Sequence, residues 1–179
     1  MDLKHYLSFW LKLPRTRGKI STAHWKTIYD VDYAGLRREG IKLLIFDVDD
    51  TIAAYEDKIP QRTIDLLKHL GKTFHLALLT NRNASGRKEL AAALQELDIY
   101  IAPFSNKPSS KGFENIFSHF SVSAEHSAVI GDKVSTDMWG AMNSNVPVRI
   151  LVRPYSATFS GKKMNPVLSF IRSLEIKLS

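Results

Sequence analysis

The feature that most constrains the fold is an alternation, starting at Leu43, of short β-rich runs with segments of helical period. Such alternation is typical of a parallel sheet whose strands are joined by crossover helices. Strands are predicted at Leu43–Phe46, His75–Leu79, Ile99–Ala102, Ala128–Ile130 and Val148–Val152. Helices are predicted at Pro60–Leu70, Ala84–Leu97, Phe113–Phe120 and Met138–Met142. The sequence therefore predicts a three-layer, Rossmann-like α/β fold with about five parallel strands and helices on both faces of the sheet.

The two ends of the chain follow this pattern less clearly. With 179 residues, 44% of them hydrophobic, the chain is long enough for one compact domain and too short for two ordinary ones. We predict an N-terminal helix and basic lead-in over residues 1–40, and the α/β core over residues 41–179. Pro14 to Lys26 is predicted to be a loop or arm, and Asn165 to Leu178 a final amphipathic helix.

The composition limits the chemistry that the chain can perform. It contains no cysteine, which excludes disulfides, thiol catalysis and thiolate metal ligands, and the reducing cytoplasm is the expected location. The net charge of +7 favours anionic partners such as phosphorylated metabolites, anionic lipid surfaces or nucleic acid. No apolar run approaches the roughly 20 residues of a membrane span, and no signal peptide is predicted.

The polar residues best suited to catalysis or metal binding lie in the loops that follow predicted strands. They are Asp47, Asp49, Asp50 and Thr51 after the first strand, Thr80 and Asn81 after the second, Lys107 after the third, and Asp132 and Asp137 after the fourth. Because the carboxyl ends of parallel strands meet at one edge of a sheet, we expect these side chains to share one crevice. Clustered carboxylates repel one another unless a cation lies between them, and all-oxygen ligands suit Mg²⁺. The sequence therefore predicts a magnesium site.

Four segments, taken in order, resemble the four motifs of the haloacid dehalogenase (HAD) superfamily. They are Phe46–Ile52, Leu79–Asn81, Asn106–Pro108 and Gly131–Asp137. The resemblance covers nearly everything from Ile41 to Arg153. A lone Asp-x-Asp is a weak signal, whereas four motifs in order after four successive strands are a specific one. The resemblance implies the HAD fold and a magnesium-dependent phosphatase.

The same resemblance implies a role for each catalytic and substrate-binding residue. Asp47 attacks phosphorus to form an aspartyl-phosphate, while Asp49 protonates the leaving oxygen and then deprotonates the hydrolytic water. Lys107 neutralises charge on Asp47 and on the phosphoryl group. Thr80 and the backbone near Asn81 hold phosphate oxygens. The implied Mg²⁺ ligands are Asp47, the main-chain carbonyl of Asp49, and Asp132, with Asp137 nearby or bound through water.

Two positions leave questions within this resemblance. Asp50 stands where the superfamily often has Gly or Asn. Since Asp tolerates a positive φ better than most residues, we expect Asp50 to be accommodated rather than catalytic. Lys111 competes with Lys107 for the lysine role. We prefer Lys107 because it lies in the predicted loop, whereas Lys111 enters the following helix.

The spacing of the motifs leaves no room for a cap domain. Only Ile52 to Ile59 separate the first motif from the next helix. A capless site is open, and it suits a phosphate on a lipid surface, a protein or a nucleic-acid end, or a small substrate enclosed by a neighbouring subunit. The lead-in from Ile28 to Lys42 resembles the YqeG-like branch, HAD subfamily IIIA, which is similar to phosphatidylglycerophosphate phosphatases. This branch implies a phospholipid head group as substrate.

The N-terminal residues support a lipid partner independently. An apolar and aromatic stripe at helical spacing comprises Leu3, Tyr6, Leu7, Trp10 and Leu11, with basic residues beside it. Such a helix can lie on an anionic membrane, giving a peripheral contact. Packing of the same stripe on the protein's own domain is the alternative. An oligomer in which the helix contacts a partner subunit stays open as well.

Other functions remain open from the sequence. A capless phosphatase could act on a soluble sugar or nucleotide phosphate, or on a nucleic-acid end. A receiver-like signalling module also combines Asp, Thr, Lys and Mg²⁺, but its phospho-acceptor Asp follows the third strand, and this chain has no Asp between Ile101 and Lys111. Simple nucleic-acid binding is disfavoured because no helix-turn-helix, zinc or aromatic RNA-binding motif is found.

Overall fold

The computed structural model of the protein describes residues 20–55, 57–103, 105–159 and 173. The predicted N-terminal helix lies outside the described residues. So does the predicted final helix from Asn165 to Leu178, apart from Ser173. Within the described ranges, we find no helix with the length and hydrophobicity that a membrane span requires.

A six-stranded parallel sheet forms the centre of the described chain. Its strands are β1 (Ala23–Trp25), β2 (Leu43–Phe46), β3 (His75–Leu78), β4 (Tyr100–Ile101), β5 (Ser127–Gly131) and β6 (Val148–Val152). They lie in the order β1-β6-β5-β2-β3-β4, and each neighbouring pair is parallel. Phe46 at the end of β2 pairs with Leu78 of β3 on one side and with Ile130 of β5 on the other. The loops that carry the first, second and fourth motifs therefore leave the sheet side by side.

The helices and the core confirm the predicted three layers. The helices are α1 (Tyr33–Arg38), α2 (Gln61–Leu70), α3 (Ala84–Ala93), α4 (Lys111–Phe120), α5 (Trp139–Asn143) and α6 (Tyr155–Phe159). Successive residues of a strand point to opposite faces of the sheet. Accordingly, Leu44 and Phe46 lie in one hydrophobic cluster with Leu67 of α2, while Leu43 and Ile45 lie in a second cluster that contains Phe113 of α4. The sheet is thus covered on both faces.

The strand β1 was not predicted, because the stretch from Pro14 to Lys26 was interpreted as a loop or arm. It is a three-residue edge strand, and Trp25 is 38% exposed, so it shows none of the apolar alternation that marks a half-buried strand. Hydrogen bonds to residues far away in the sequence hold β1 at the edge of the sheet instead. Thr22 N donates to Arg149 O at 2.8 Å, and Arg149 N donates to Thr22 Oγ1 at 2.8 Å.

The connections leave no space for a cap domain, as predicted. Residues 47–60 join β2 to α2, and residues 102–110 join β4 to α4. Asp50 stabilises the first of these connections in the left-handed conformation that we expected, with a φ of 62°. Its carbonyl accepts from Tyr155 N at 2.7 Å, and its carboxylate accepts from Ser156 N at 3.1 Å and from the Ser156 hydroxyl. Asp50 therefore ties the first motif to α6.

Candidate active site

The candidate site lies at the carboxyl edge of the sheet. The hydrogen-bond ladder continues past the strand ends, since Asp47 N donates to Ile130 O and Leu79 N donates to Phe46 O, each at 2.9 Å. Four predicted site residues are almost fully buried at this edge, with exposed fractions of 7% for Asp47, 5% for Lys107, 4% for Asp132 and 1% for Asp137. Charged side chains are rarely buried to this extent unless they are paired or bind a metal.

Lys107 joins two carboxylates at the centre of the site. Its Nζ lies 2.5 Å from Asp47 Oδ1 and 2.6 Å from Asp137 Oδ1. Burial alone would lower the pKa of the Lys107 ammonium, but the Asp137 and Asp47 carboxylates raise it above its ordinary value. The lysine is therefore held in its charged form beside the predicted nucleophile.

Asp47, Asp132 and Asp137 form a carboxylate cluster in which one oxygen from each lies within 4.8 Å of the others. Burial raises the pKa of the Asp47 carboxyl to about 7; the Lys107 ammonium opposes this rise, and the other two carboxylates add to it. A divalent cation would offset the same repulsion and restore the ionised form. Three buried carboxylates with no sulfur or imidazole donor make a set that fits Mg²⁺.

Asp137 is positioned by the backbone that carries it. It belongs to a π-helical turn, Val134–Met138, a conformation that is frequent at functional sites. Its Oδ2 accepts from Lys133 N at 3.0 Å, while Oδ1 accepts from Lys107 Nζ and from Thr136 Oγ1. Asp137 therefore orients Lys107 as well as lying beside the predicted metal site.

Gly131 leaves the space that Asp137 occupies. A Cβ added at residue 131 would lie 2.5 Å from Asp137 Cβ and 2.6 Å from its Cγ. Gly131→Ala should displace Asp137 from Lys107, lower the free energy of unfolding by about 1–3 kcal/mol and reduce phosphatase turnover. Urea denaturation and phosphate release measure the two effects. Gly71→Ala, where the nearest atom is 3.4 Å away, is the matched control, and equal losses in both variants would contradict this account.

Asn81 of the second motif contacts the backbone of Lys107. The Asn81 side chain spans the Lys107 backbone, since Oδ1 accepts from Lys107 N at 3.0 Å and Nδ2 donates to Lys107 O at 3.4 Å. Thr80 is buried, and its hydroxyl oxygen accepts from Arg82 N at 3.1 Å. We predicted that Thr80 and Asn81 bind phosphate oxygens. The contacts described here assign Asn81 a further task, which is to hold the lysine loop.

Asp49 faces the same cleft but is paired with a residue that we did not predict. Arg82 donates to both Asp49 oxygens, from Nε at 3.0 and 3.1 Å and from a terminal nitrogen to Oδ1 at 2.6 Å. The Arg82 and Asp49 side chains are 11% and 13% exposed. Arg82 directly follows Thr80 and Asn81 after β3, and this position is the sequence feature that could have identified it as a site residue.

These residues line a cleft of about 440 Å³. Of the predicted site residues, Asp47, Asp49, Asn81, Lys107 and Asp137 line it. Residues not predicted to act in the site complete the wall: Tyr55, Arg82, Asn83, Lys133 and Thr136. The cleft therefore brings together a carboxylate beside a charged lysine, a second carboxylate, and a set of acidic oxygens suited to Mg²⁺.

Comparisons with known proteins identify similar chains. The family model of mitochondrial PGP phosphatase matches residues 13–151, whereas a comparison with curated proteins gives no significant match. Among solved structures, an uncharacterized protein from Listeria monocytogenes serotype 4b is similar with a TM-score of 0.51 and 13% identity, over 77% of this chain and 98% of that one. A HAD phosphatase from Thermococcus onnurineus gives a TM-score of 0.45 and 16% identity, over 84% and 76%.

Proposed function

This chain belongs to the mitochondrial PGP phosphatase family, and we propose on that premise that it is a magnesium-dependent phosphomonoester hydrolase acting through an aspartyl-phosphate on Asp47. Family membership confirms the prediction of a HAD-superfamily phosphatase enzyme. It also favours a phosphatase over a receiver-like signalling module. The observation that carries the proposed mechanism is the contact of the buried Lys107 ammonium with Asp47 in a cleft that also holds Asp49.

In the first step, a carboxylate oxygen of Asp47 attacks phosphorus as the bond to the ester oxygen breaks. Asp49 enters this step protonated and gives that proton to the departing alcohol oxygen. Lys107 lies 2.5 Å from Asp47 Oδ1 and stabilises the negative charge that the phosphoryl group brings. Thr80 and Asn81 are proposed to hold the phosphoryl oxygens at the end of β3.

In the second step, Asp49 takes a proton from water as the water oxygen attacks phosphorus. The bond between Asp47 and phosphorus breaks, inorganic phosphate leaves, and both carboxylates return to their starting states. Two carboxylates are needed because one carries the phosphoryl group while the other moves the proton. These two roles require Asp47 and Asp49 to line one cleft. Asp47 is buried against Lys107 there, and Asp49 is paired with Arg82.

The residues proposed to hold Mg²⁺ are Asp47, the main-chain carbonyl of Asp49, and Asp132, with Asp137 beside them or bound through water. A bound Mg²⁺ would supply positive charge to the transferred phosphoryl oxygens. The spacing of the cluster oxygens, within 4.8 Å, supports this assignment.

We propose phosphatidylglycerophosphate as the substrate, because the family is named for PGP and because neither connection at the site, residues 47–60 or residues 102–110, has room for a cap domain. The family name also refers to mitochondria, and a cysteine-free chain suits that compartment as well as the cytoplasm predicted from the sequence. A net charge of +7 would favour peripheral contact with anionic lipid, with the predicted N-terminal helix as the proposed contact.

Phosphate release tests the proposed function. We expect Mg²⁺-dependent turnover of phosphatidylglycerophosphate in mixed micelles, loss of turnover in chelator, and slower turnover of a generic aryl phosphate. Turnover of the aryl phosphate with none of the lipid would discard the lipid substrate and point to a soluble or nucleic-acid phosphate. Equal turnover in Mg²⁺ and in chelator would contradict the metal assignment.

A further inference from the structure

Three cations line the cleft among the described residues, and they differ in what they contact. Lys107 bridges Asp47 and Asp137. Lys133 Nζ lies 3.8 Å from Asp132 Oδ1 and its side chain is 30% exposed. Arg82 donates hydrogen bonds to both oxygens of Asp49. Arg82 is therefore the cation next to the residue that must meet the leaving alcohol.

This pairing conflicts with the role of Asp49 in the proposed reaction. To pass a proton to the leaving oxygen, Asp49 must turn at least one of the oxygens that Arg82 now contacts toward the substrate. Separating a nearly buried guanidinium from its carboxylate costs free energy unless another anion replaces the carboxylate. A substrate that supplies such an anion on its alcohol side offsets this cost.

We propose that Arg82 is a specificity-determining residue that binds a second anionic group on the alcohol side of the substrate, in exchange for Asp49. The inference rests on the proposed function and adds which residue recognises the negative charge on the alcohol side of the substrate. In phosphatidylglycerophosphate this charge is a phosphodiester. An arginine suits this task because its planar guanidinium binds two oxygens of a phosphate at once, as it now binds two carboxylate oxygens.

The position of Arg82 supports this assignment. It begins the loop before α3, and Asn83 caps that helix by accepting from Gly86 N at 2.9 Å. The Arg82 carbonyl accepts a hydrogen bond from the Arg87 guanidinium, and its amide donates to Thr80. The backbone of Arg82 is therefore held on both sides, so an exchange of partners needs only the side chain to move.

Two soluble substrates test the inference in the full-length protein with Mg²⁺. Glycerol 3-phosphate carries one phosphomonoester, and glycerophosphoglycerol phosphate, the deacylated head group, adds a phosphodiester. We expect wild type to prefer the head group, measured as the ratio of the two kcat/KM values. Arg82→Gln should lower this ratio about tenfold or more, mainly through KM for the head group. Arg82→Lys should recover part of it, because the charge returns without the planar fork.

The control variants separate this role from other effects. Arg38→Gln removes an arginine whose exposed ion pair with Asp32 lies on α1, and it should keep the wild-type ratio. Short-chain phosphatidylglycerophosphate shows whether the acyl chains affect turnover. Arg82→Gln should lower kcat/KM for this lipid by the same factor as kcat/KM for the head group. If Arg82→Gln fails to fold, the ratio of the two kcat/KM values is compared between Arg82→Lys and wild type.

Several outcomes would overturn the inference. If Arg82→Gln lowers kcat/KM equally for both substrates, the role of Arg82 is structural. If neither kcat/KM value changes, Arg82 has no role in specificity. A fall in the ratio for Lys133→Gln, with none for Arg82→Gln, would move the assignment to the other cation. Wild-type protein that hydrolyses neither of the two substrates, nor short-chain phosphatidylglycerophosphate, nor an aryl phosphate would instead refute the proposed function, and the inference with it.

Discussion

Asp47→Asn should lower magnesium-dependent phosphate release on the order of 10³-fold or more, because the amide cannot attack phosphorus. The substitution keeps the shape of the side chain and removes one negative charge from the carboxylate cluster of Asp47, Asp132 and Asp137. Since the oxygens of that cluster lie within 4.8 Å of one another, loss of one charge relieves repulsion, and the variant should remain folded, with a melting temperature in chelator at or above that of wild type. Phosphate release and thermal melting measure the two effects.

Asp50→Asn is the matched control for this variant. Asp50 lies three residues away in the same loop, and its carboxylate accepts hydrogen bonds from Ser156 rather than lining the cleft. Asn tolerates the positive φ at this position, so turnover should stay close to wild type. Retained turnover in Asp47→Asn, or a comparable loss in Asp50→Asn, would contradict the assignment of the nucleophile.

Lys107→Gln should have the second-largest effect, with loss of turnover of about 10²–10³-fold and a fall in the free energy of unfolding of about 3–5 kcal/mol. Both effects follow because Lys107 is buried and contacts Asp47 and Asp137. Its removal leaves two buried carboxylates without their shared cation. Mg²⁺ should therefore raise the melting temperature of Lys107→Gln by more than it raises that of wild type.

Lys111→Gln makes this experiment specific, because Lys111 is the other lysine considered for the role. It is exposed and begins α4, where its amide lies 3.4 Å from Ser109 Oγ. Its replacement should change neither turnover nor stability beyond about 0.5 kcal/mol. Lost activity in Lys111→Gln with wild-type activity in Lys107→Gln would reverse the assignment.

The parts of the fold that could be predicted are those with a strong local pattern. β2 and β6 were predicted with the bounds that the structure shows, since both are continuous apolar or β-rich runs. Because parallel strands end at one edge, the predicted parallel sheet also implied that Asp47, Lys107, Asp132 and Asp137 would meet. The edge strand β1 had no such pattern, and its pairing with β6 depends on residues more than 120 positions away.

The contacts between loops could not be predicted for a different reason. Sequence position placed Asp49, Asn81 and Arg82 at strand ends, but it did not specify which side chain would contact which. Arg82 pairs with Asp49, and Asn81 supports the Lys107 backbone, across loops that are 33 and 26 residues apart in sequence. The hydrogen bonds between Asp50 and α6 likewise join segments about 100 residues apart.

The most direct test of the central claim is to trap the phosphorylated enzyme. Wild type would be mixed with substrate labelled in the phosphomonoester group and quenched in acid during turnover, and the labelled peptide would be mapped. We predict a hydroxylamine-sensitive phosphoryl group on Asp47, absent from Asp47→Asn and formed only with Mg²⁺. Turnover that leaves no label under these conditions, or a label on any other residue, would contradict the account.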